Sequence, residues 1–162
     1  MQIITCPDSE DGSSRDKHRV FLAGGISNCS NWQEDAVAYF KALGLSESFV
    51  LFNPRRDTFD VTNPADTEFQ IKWEFDHLKA CKTVFFWFPH ETLCPITLYE
   101  LGVCAARGQH IIVGVDPEYK RKLDVIEQLK HLRPDVHVHG SLASTLQFAA
   151  STMIELQELM KV

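Results

Sequence analysis

Short apolar runs alternate along the chain with longer segments whose apolar residues recur at helical spacing. The continuous runs predict strands at residues 20–23, 49–52, 84–88 and 111–115, with a short opening strand at 3–6 and a weak one at 136–138. The segments at helical spacing predict helices over 31–43, 63–81, 96–107 and 121–132, and from Leu142 onward. Gly44 and Gly108 are placed to end two of these helices, and Asn63-Pro64 is a typical helix start.

Alternating strands and helices indicate a parallel sheet with helices on both faces. The strands are almost entirely apolar, as expected when both faces of the sheet are covered. We therefore predict an α/β, three-layer flavodoxin-like (Rossmann-like) fold with a parallel five-stranded sheet. Residues 1–162 form one predicted domain, in which residues 1–18 are a short strand followed by a polar loop.

Composition excludes several classes of function. Hydrophobic residues make up 44% of the 162, and the net charge is -6, which disfavours binding to nucleic acid polymers or anionic membranes. No apolar run approaches the roughly 18 residues that span a bilayer. The N-terminus has no visible secretory signal, and the five cysteines form no CxxC pair. We expect a cytoplasmic protein with reduced cysteines.

Three loops are expected to meet at the carboxyl edge of the sheet, where open α/β sheets hold ligands. The first contains Gly24-Gly25, which would let a backbone approach a ligand closely or simply make a tight turn. Ser27 or Asn28 in that loop would cap a helix or bind a ligand hydroxyl. The second loop, 53–63, is expected to be structured because it contains Phe59 and Val61. The chain lacks the glycine patterns of classical NAD and ATP sites.

Two glutamates stand at unusual positions in the predicted helices. Glu100 lies between Ile96 and Val103 on an apolar stripe, and an ionisable group there is costly unless it is paired or used. We expect the positive end of the helix dipole to favour its ionised, nucleophilic form. Glu74 falls inside an apolar stripe of the preceding helix, and Asp76 is the alternative. Two carboxylates near one sheet edge suit glycosyl chemistry.

Other side chains carry weaker signals. Arg55 and Arg56 would bind a phosphate or carboxylate, or serve only as solvated surface groups. Trp73 would stack on a base or pack in the core, and His90 would donate a hydrogen bond near the site. His137 and His139 share one face of a strand, but a pair without a third ligand is poor evidence for zinc, so no metal is predicted.

Five segments stand in order along the chain: Val-Phe-Leu-Ala-Gly-Gly-Ile at 20–26, Asn-Pro-Arg-Arg at 53–56, Gln-Ile-Lys-Trp-Glu at 70–74, Phe-Trp-Phe-Pro at 86–89 and Tyr-Glu-Leu-Gly at 99–102. Taken together, they resemble the nucleoside 2-deoxyribosyltransferase-like family. The resemblance implies cleavage of the N-glycosidic bond of 2-deoxyribonucleosides, with Glu100 as nucleophile and Glu74 orienting the sugar and protonating the leaving base. Cys94 stands where well-studied members carry an aspartate or serine that contacts base or phosphate.

We therefore expect an enzyme that transfers deoxyribose from a nucleoside, or its 5′-monophosphate, to another nucleobase or to water. No cofactor is expected, because the carboxylates supply the nucleophile and the proton relay; a homo-oligomer is expected from the family. The expected substrate contacts are Gly24, Gly25, Ile26, Ser27, Arg55, Trp73, Asp76, His90, Cys94 and Thr97. The alternatives are a non-catalytic nucleotide-sensing module on the same fold and a glycohydrolase of the NAD type.

Overall fold

The computed structural model describes residues 1–10, 12, 16–45, 47–58, 60 and 62–160. Phe59 and Val61, on which the expectation of a structured second loop rested, lie outside these residues. The strands are β1 Gln2–Thr5, β2 His18–Gly24, β3 Phe49–Asn53, β4 Thr83–Phe88, β5 His110–Val115 and β6 Val138–His139. The helices are α1 Trp32–Ala42, α2 Pro64–Ala80, α3 Pro95–Ala106, α4 Lys122–Leu132 and α5 Leu142–Leu159.

The strands form one parallel sheet in the order β1-β3-β2-β4-β5-β6. The three-layer flavodoxin-like fold is confirmed, since β2 to β6 follow the flavodoxin order. The sheet has six strands rather than the predicted five. The additional strand is β1, which pairs with β3 at the edge of the sheet.

Helices cover both faces of the sheet. On one face, α1 and α5 bury Trp32, Phe40 and Met153 against the sheet, and on the other α2, α3 and α4 bury Trp73, Leu101 and Leu129 among others. The helix ends follow local sequence: the Asn63 side chain accepts a hydrogen bond from the Ala65 N–H ahead of Pro64, and Gly44 adopts a φ of 63° after α1.

The strand register brings the functional loops together. Gly24 at the end of β2 pairs with Trp87 near the end of β4, and Thr5 at the end of β1 pairs with Asn53 at the end of β3. The loops after these four strands therefore leave the sheet at the same edge. Among the described residues, no helix has the length and apolar character needed to cross a membrane.

Candidate active site

Glu100 lies in the middle of α3 with its side chain only partly exposed. Its neighbours one turn away on the buried side are Thr97 and Cys104, which are 4% and 0% exposed. The expected stripe is wrong in one respect, because Ile96 is 64% exposed. Glu100 is nevertheless on the inner side of the helix, because Thr97, Leu101 and Cys104 face the sheet.

The electrostatics of Glu100 also differ from expectation. Burial, and after it the negative charge of Glu74, raise the pKa of Glu100 to about 8. The helix dipole was expected to favour the ionised form, but its influence falls off within the first turn, and Glu100 lies beyond that turn. Loss of hydration therefore outweighs the dipole and favours the protonated form of Glu100.

Glu74 lies on the inner side of α2, partly exposed, and burial raises the pKa of its carboxyl group as well. The Gln70 side chain opposes this shift by donating a hydrogen bond from Nε2 to Glu74 Oε1 at 2.7 Å. The predicted stripe was wrong, since Ile71 and Phe75 are 62% and 54% exposed. The face that packs on the sheet instead carries Gln70, Trp73 and Leu78.

Asp76, the alternative to Glu74, is contradicted as a buried carboxylate. Its side chain is exposed on the outer face of α2 and forms an ion pair with Lys72. The hydrogen bond from Lys72 lowers the pKa of Asp76. Trp73 likewise is not an open stacking platform: it is 5% exposed, lies among the rings of Phe21 and Phe52, and donates from Nε1 to the Asp8 carbonyl at 2.8 Å.

The Gly24-Gly25 turn was predicted to let the backbone approach a ligand closely, but in the structure Gly25 closely approaches another loop of the protein. A Cβ on Gly25 would lie 2.8 Å from both Pro89 Cγ and Thr92 Cγ2 and 3.1 Å from Cys94 Sγ. The space beside Gly25 is thus filled by the loop between β4 and α3. Because Gly25 has no side chain, the loop after β2 and the loop before α3 can pack together. The Gly25 carbonyl accepts hydrogen bonds from the side chains of Trp32 and Gln33.

Cys94 is part of this packing. It is 5% exposed, it has a left-handed φ of 46° at the N-cap of α3, and its thiol points to the Thr92 carbonyl at 3.6 Å. Burial raises the pKa of Cys94 to about 12, so the side chain is a neutral packing group. Ile26 is partly buried and Ser27 is exposed in the facing loop.

Arg55 is committed to the protein itself. Its guanidinium donates to the carbonyls of Ser30 and Cys29 at 2.7 and 3.0 Å and to Gln33 Oε1 at 3.1 Å. It therefore fastens the β3 loop to the loop after β2. Arg56 forms an ion pair with Asp66 at 3.7 Å.

His90 is exposed among acidic groups at the outer end of the edge. Its Nδ1 lies 3.2 Å from Asp116 Oδ2 and 3.5 Å from Glu91 Oε2, and the hydrogen bond with Asp116 raises the pKa of His90.

A shallow cavity of about 190 Å³ lined by Met1, Gln2, Lys17 and Glu47 lies at the opposite, amino edge of the sheet, away from the glutamates.

Sequence reasoning missed Gln70 and the N-terminal segment. Gln70 is 7% exposed and contacts Glu74, and the loop after β1 reaches the same place through Cys6 and Asp8. The spacing of Gln70 four residues before Glu74 on a helix was the available signal, since residues at that spacing are neighbours.

Comparison with known proteins accords with this arrangement. A family model described as nucleoside 2-deoxyribosyltransferase like matches residues 17–119, which include both glutamates. The chain belongs to this family. Membership supports a general role in handling nucleosides. No curated protein matches the sequence.

A solved structure shares the fold. The crystal structure of a conserved protein from Enterococcus faecalis V583 superposes with a TM-score of 0.56 at 15% sequence identity, covering 81% of this chain and 96% of that one. At this identity the likeness concerns the fold alone.

Proposed function

We propose that this protein cleaves the N-glycosidic bond of 2′-deoxyribonucleosides through a covalent deoxyribosyl-Glu100 intermediate. The observation that carries the proposal is that two partly buried carboxylates, Glu100 on α3 and Glu74 on α2, lie near enough for the charge of Glu74 to contribute to the raised pKa of Glu100. Family membership supports the substrate class, and the matched region contains both residues.

In the proposed reaction a Glu100 carboxylate oxygen forms a bond to C1′ as the bond from C1′ to the base nitrogen breaks. The electron pair of that bond leaves with the base, which takes a proton from the Glu74 carboxylic acid. A second nucleobase or water then attacks C1′ and releases Glu100, and the incoming group returns a proton to Glu74. A carboxylate nucleophile next to a carboxylic acid is the arrangement of retaining glycosidases.

This scheme requires the pair of glutamates to hold one proton. The raised pKa of Glu100 means that the pair binds a proton at neutral pH. The two carboxyl groups share this proton, and productive binding is proposed to leave it on Glu74, so the number of protons does not change. Two interacting carboxylates titrate as a unit, and the activity is expected to follow a bell-shaped pH profile.

The direct test is base exchange. The protein is incubated with a 2′-deoxynucleoside and a different free base, and chromatography follows the new nucleoside or free deoxyribose. Glu100→Gln is expected to lower the rate by at least about 10³-fold, as removal of a nucleophile does. Glu68→Gln, a change at an exposed residue of α2, is the matched control. Intact-protein mass spectrometry should find one deoxyribosyl group on the wild type and none on Glu100→Gln.

Undiminished turnover by Glu100→Gln contradicts the proposal. Binding of nucleosides or nucleotides without product across a broad panel would instead favour the sensing module, and release of nicotinamide from NAD would favour the glycohydrolase.

The proposal extends to a homo-oligomer. Large apolar side chains remain exposed on the outer faces of α2 and α3: Phe69, Ile71, Phe75, Ile96 and Tyr99. Adjacent exposed apolar groups favour association with a second copy. Light scattering after size-exclusion chromatography is expected to give a mass above that of one chain.

A further inference from the structure

The Gln70 side chain joins three parts of the molecule at one point. Its Nε2 donates to Glu74 Oε1 at 2.7 Å and to the Pro54 carbonyl at 2.8 Å, and its Oε1 accepts from the Cys6 thiol at 3.1 Å. The amide is 7% exposed, so these bonds are not in competition with bulk water. Each hydrogen of the amide nitrogen is used, and the oxygen has a donor.

The three partners determine which way the amide points. Rotating it by half a turn would place Oε1 against the oxygens of Pro54 and Glu74, which is repulsive, and would leave Nε2 facing the Cys6 sulfur. Gln70 therefore presents a donor to Glu74 in a fixed direction. A fixed donor holds the carboxylate in one rotamer and stabilises its ionised form.

Two of the partners come from loops, not from α2. Pro54 begins the loop after β3, and Cys6 begins the loop after β1, which precedes the region that matches the family model. A second bond, from Trp73 Nε1 to the Asp8 carbonyl at 2.8 Å, attaches the same N-terminal segment to the same face of α2. The edge strand and its loop thus brace the helix turn that carries Glu74.

We infer that Gln70 is a positioning residue for Glu74, held in place by Pro54 and Cys6, and that it decides how readily Glu74 gives up and takes back its proton. The catalytic meaning of this inference rests on the proposed function; the effect on Glu74 itself does not. The charged groups facing this point are Glu100 on α3, Arg56 after β3 and Asp8 after β1.

The test replaces Gln70 by Met, which keeps the length of the side chain and removes its donors. Glutamate carboxyl carbons are labelled with ¹³C, and their chemical shifts are followed against pH, with the Glu74 signal assigned from Glu74→Gln. In Gln70→Met the Glu74 midpoint is expected to rise by about 1 pH unit, because a charge-assisted hydrogen bond to the ionised form is lost.

Gln109→Met is the matched control. Gln109 Nε2 also donates twice to backbone carbonyls, those of Leu78 and Cys81 at 3.2 and 3.0 Å, but it lies at the amino edge of the sheet. This variant is expected to lose comparable stability with the Glu74 midpoint unchanged. Should Gln70→Met fail to fold, Gln70→Asn keeps an amide but withdraws it from Glu74, and the same rise is expected.

The kinetic counterpart uses the base-exchange assay. In Gln70→Met the alkaline limb of the kcat profile, which reports loss of the Glu74 proton in the bound complex, is expected to move to higher pH by about 1 unit, with kcat falling more than KM rises. An unchanged Glu74 midpoint, or an equal shift in Gln109→Met, overturns the inference. If the wild type exchanges no base, the proposed function fails while the ¹³C titration still decides the role of Gln70.

Discussion

The charge of Glu74 on α2 acts on Glu100 on α3: burial of Glu100 and, after it, this charge raise the pKa of Glu100 to about 8. Glu74→Gln removes that charge without changing the size of the side chain. The pKa of Glu100 is therefore expected to fall below about 8 while staying above its ordinary value of 4.5, because burial is the larger cause. A ¹³C carboxyl titration measures the shift. A Glu100 midpoint that does not move in Glu74→Gln would show that the two groups do not interact.

The same pair makes stability depend on pH. Glu100 ionises near 4.5 in the unfolded chain and near about 8 in the folded protein, so the folded state binds more protons between these values. The stability that Glu100 contributes is complete below the lower value and is lost as the pH rises through the upper one. For each unit by which the pH rises inside this window, the free energy of unfolding of Glu100→Gln should increase by roughly 1.4 kcal/mol relative to that of the wild type.

Urea unfolding at about pH 5 and about pH 8 measures this difference, with Glu68→Gln as control. A difference between Glu100→Gln and wild type that is the same at both pH values would contradict the raised pKa.

Gly25 and Gly102 offer a matched pair of glycine substitutions. Gly25→Ala forces a Cβ to within 2.8 Å of Pro89 and Thr92, and it is expected to cost about 1–3 kcal/mol and to lower activity by displacing the loop that begins α3. Gly102→Ala meets nothing within 4 Å in α3 and is expected to stabilise by about 0.5–1 kcal/mol. Thermal or urea unfolding of both variants checks the opposite signs; equal effects would contradict the packing at Gly25.

A chain of hydrogen bonds crosses the amino ends of three strands. Thr83 Oγ1 lies 2.9 Å from His18 Nε2 and 3.1 Å from His110 Nδ1. Burial and then Lys82 lower the pKa of His18, and burial and then Arg133 lower that of His110. The folded protein therefore disfavours the protonated form of both histidines, and their contribution to stability is lost as the pH falls below the unfolded value of 6.5.

The stability advantage of wild type over His18→Gln is therefore expected to shrink between about pH 7.5 and about pH 5.5. Comparing the two proteins at each pH cancels the opposing effect of Glu100. His131→Gln, at an exposed residue of α4, should show no such trend. An advantage that grows on acidification would refute the role of burial.

Arg55 bears on the form of the substrate. Its three hydrogen bonds go to protein groups, and Arg56 is paired with Asp66. Binding a 5′-phosphate through Arg55 would break bonds that hold two loops together. Within the proposed function, kcat/KM for a deoxynucleoside should exceed that for its 5′-monophosphate by about 10-fold, the value of one charged hydrogen bond. Rates measured on both substrates check this, and a preference for the monophosphate would contradict it.

Helix and strand positions were predictable because they follow local rules. The apolar runs of β3 and β4, the Asn63-Pro64 helix start and Gly44 after α1 all act through neighbours in sequence. The place of β1 in the sheet was not predicted, since a four-residue strand is stabilised only by pairing with β3, which is distant in sequence.

Helical periodicity placed Glu74 and Glu100 in apolar stripes, but it did not identify which apolar stripe of each helix is buried against the sheet. In α2, apolar residues occur on two sides, and periodicity alone does not say which side meets the sheet. The structure shows that Trp73 and Leu78 meet the sheet, whereas Ile71 and Phe75 face outward.

From its residues alone, then, the chain determined an alternating α/β fold and two glutamates on successive helices, because spacing and apolar character are properties of short segments. Only the tertiary structure decided that Gly25 packs against Cys94, that Arg55 is occupied and that Gln70 holds Glu74. The raised pKa of Glu100 also depends on the tertiary structure. Each of these depends on groups far apart in sequence, and their loss of hydration exists only once the sheet and helices have closed around them.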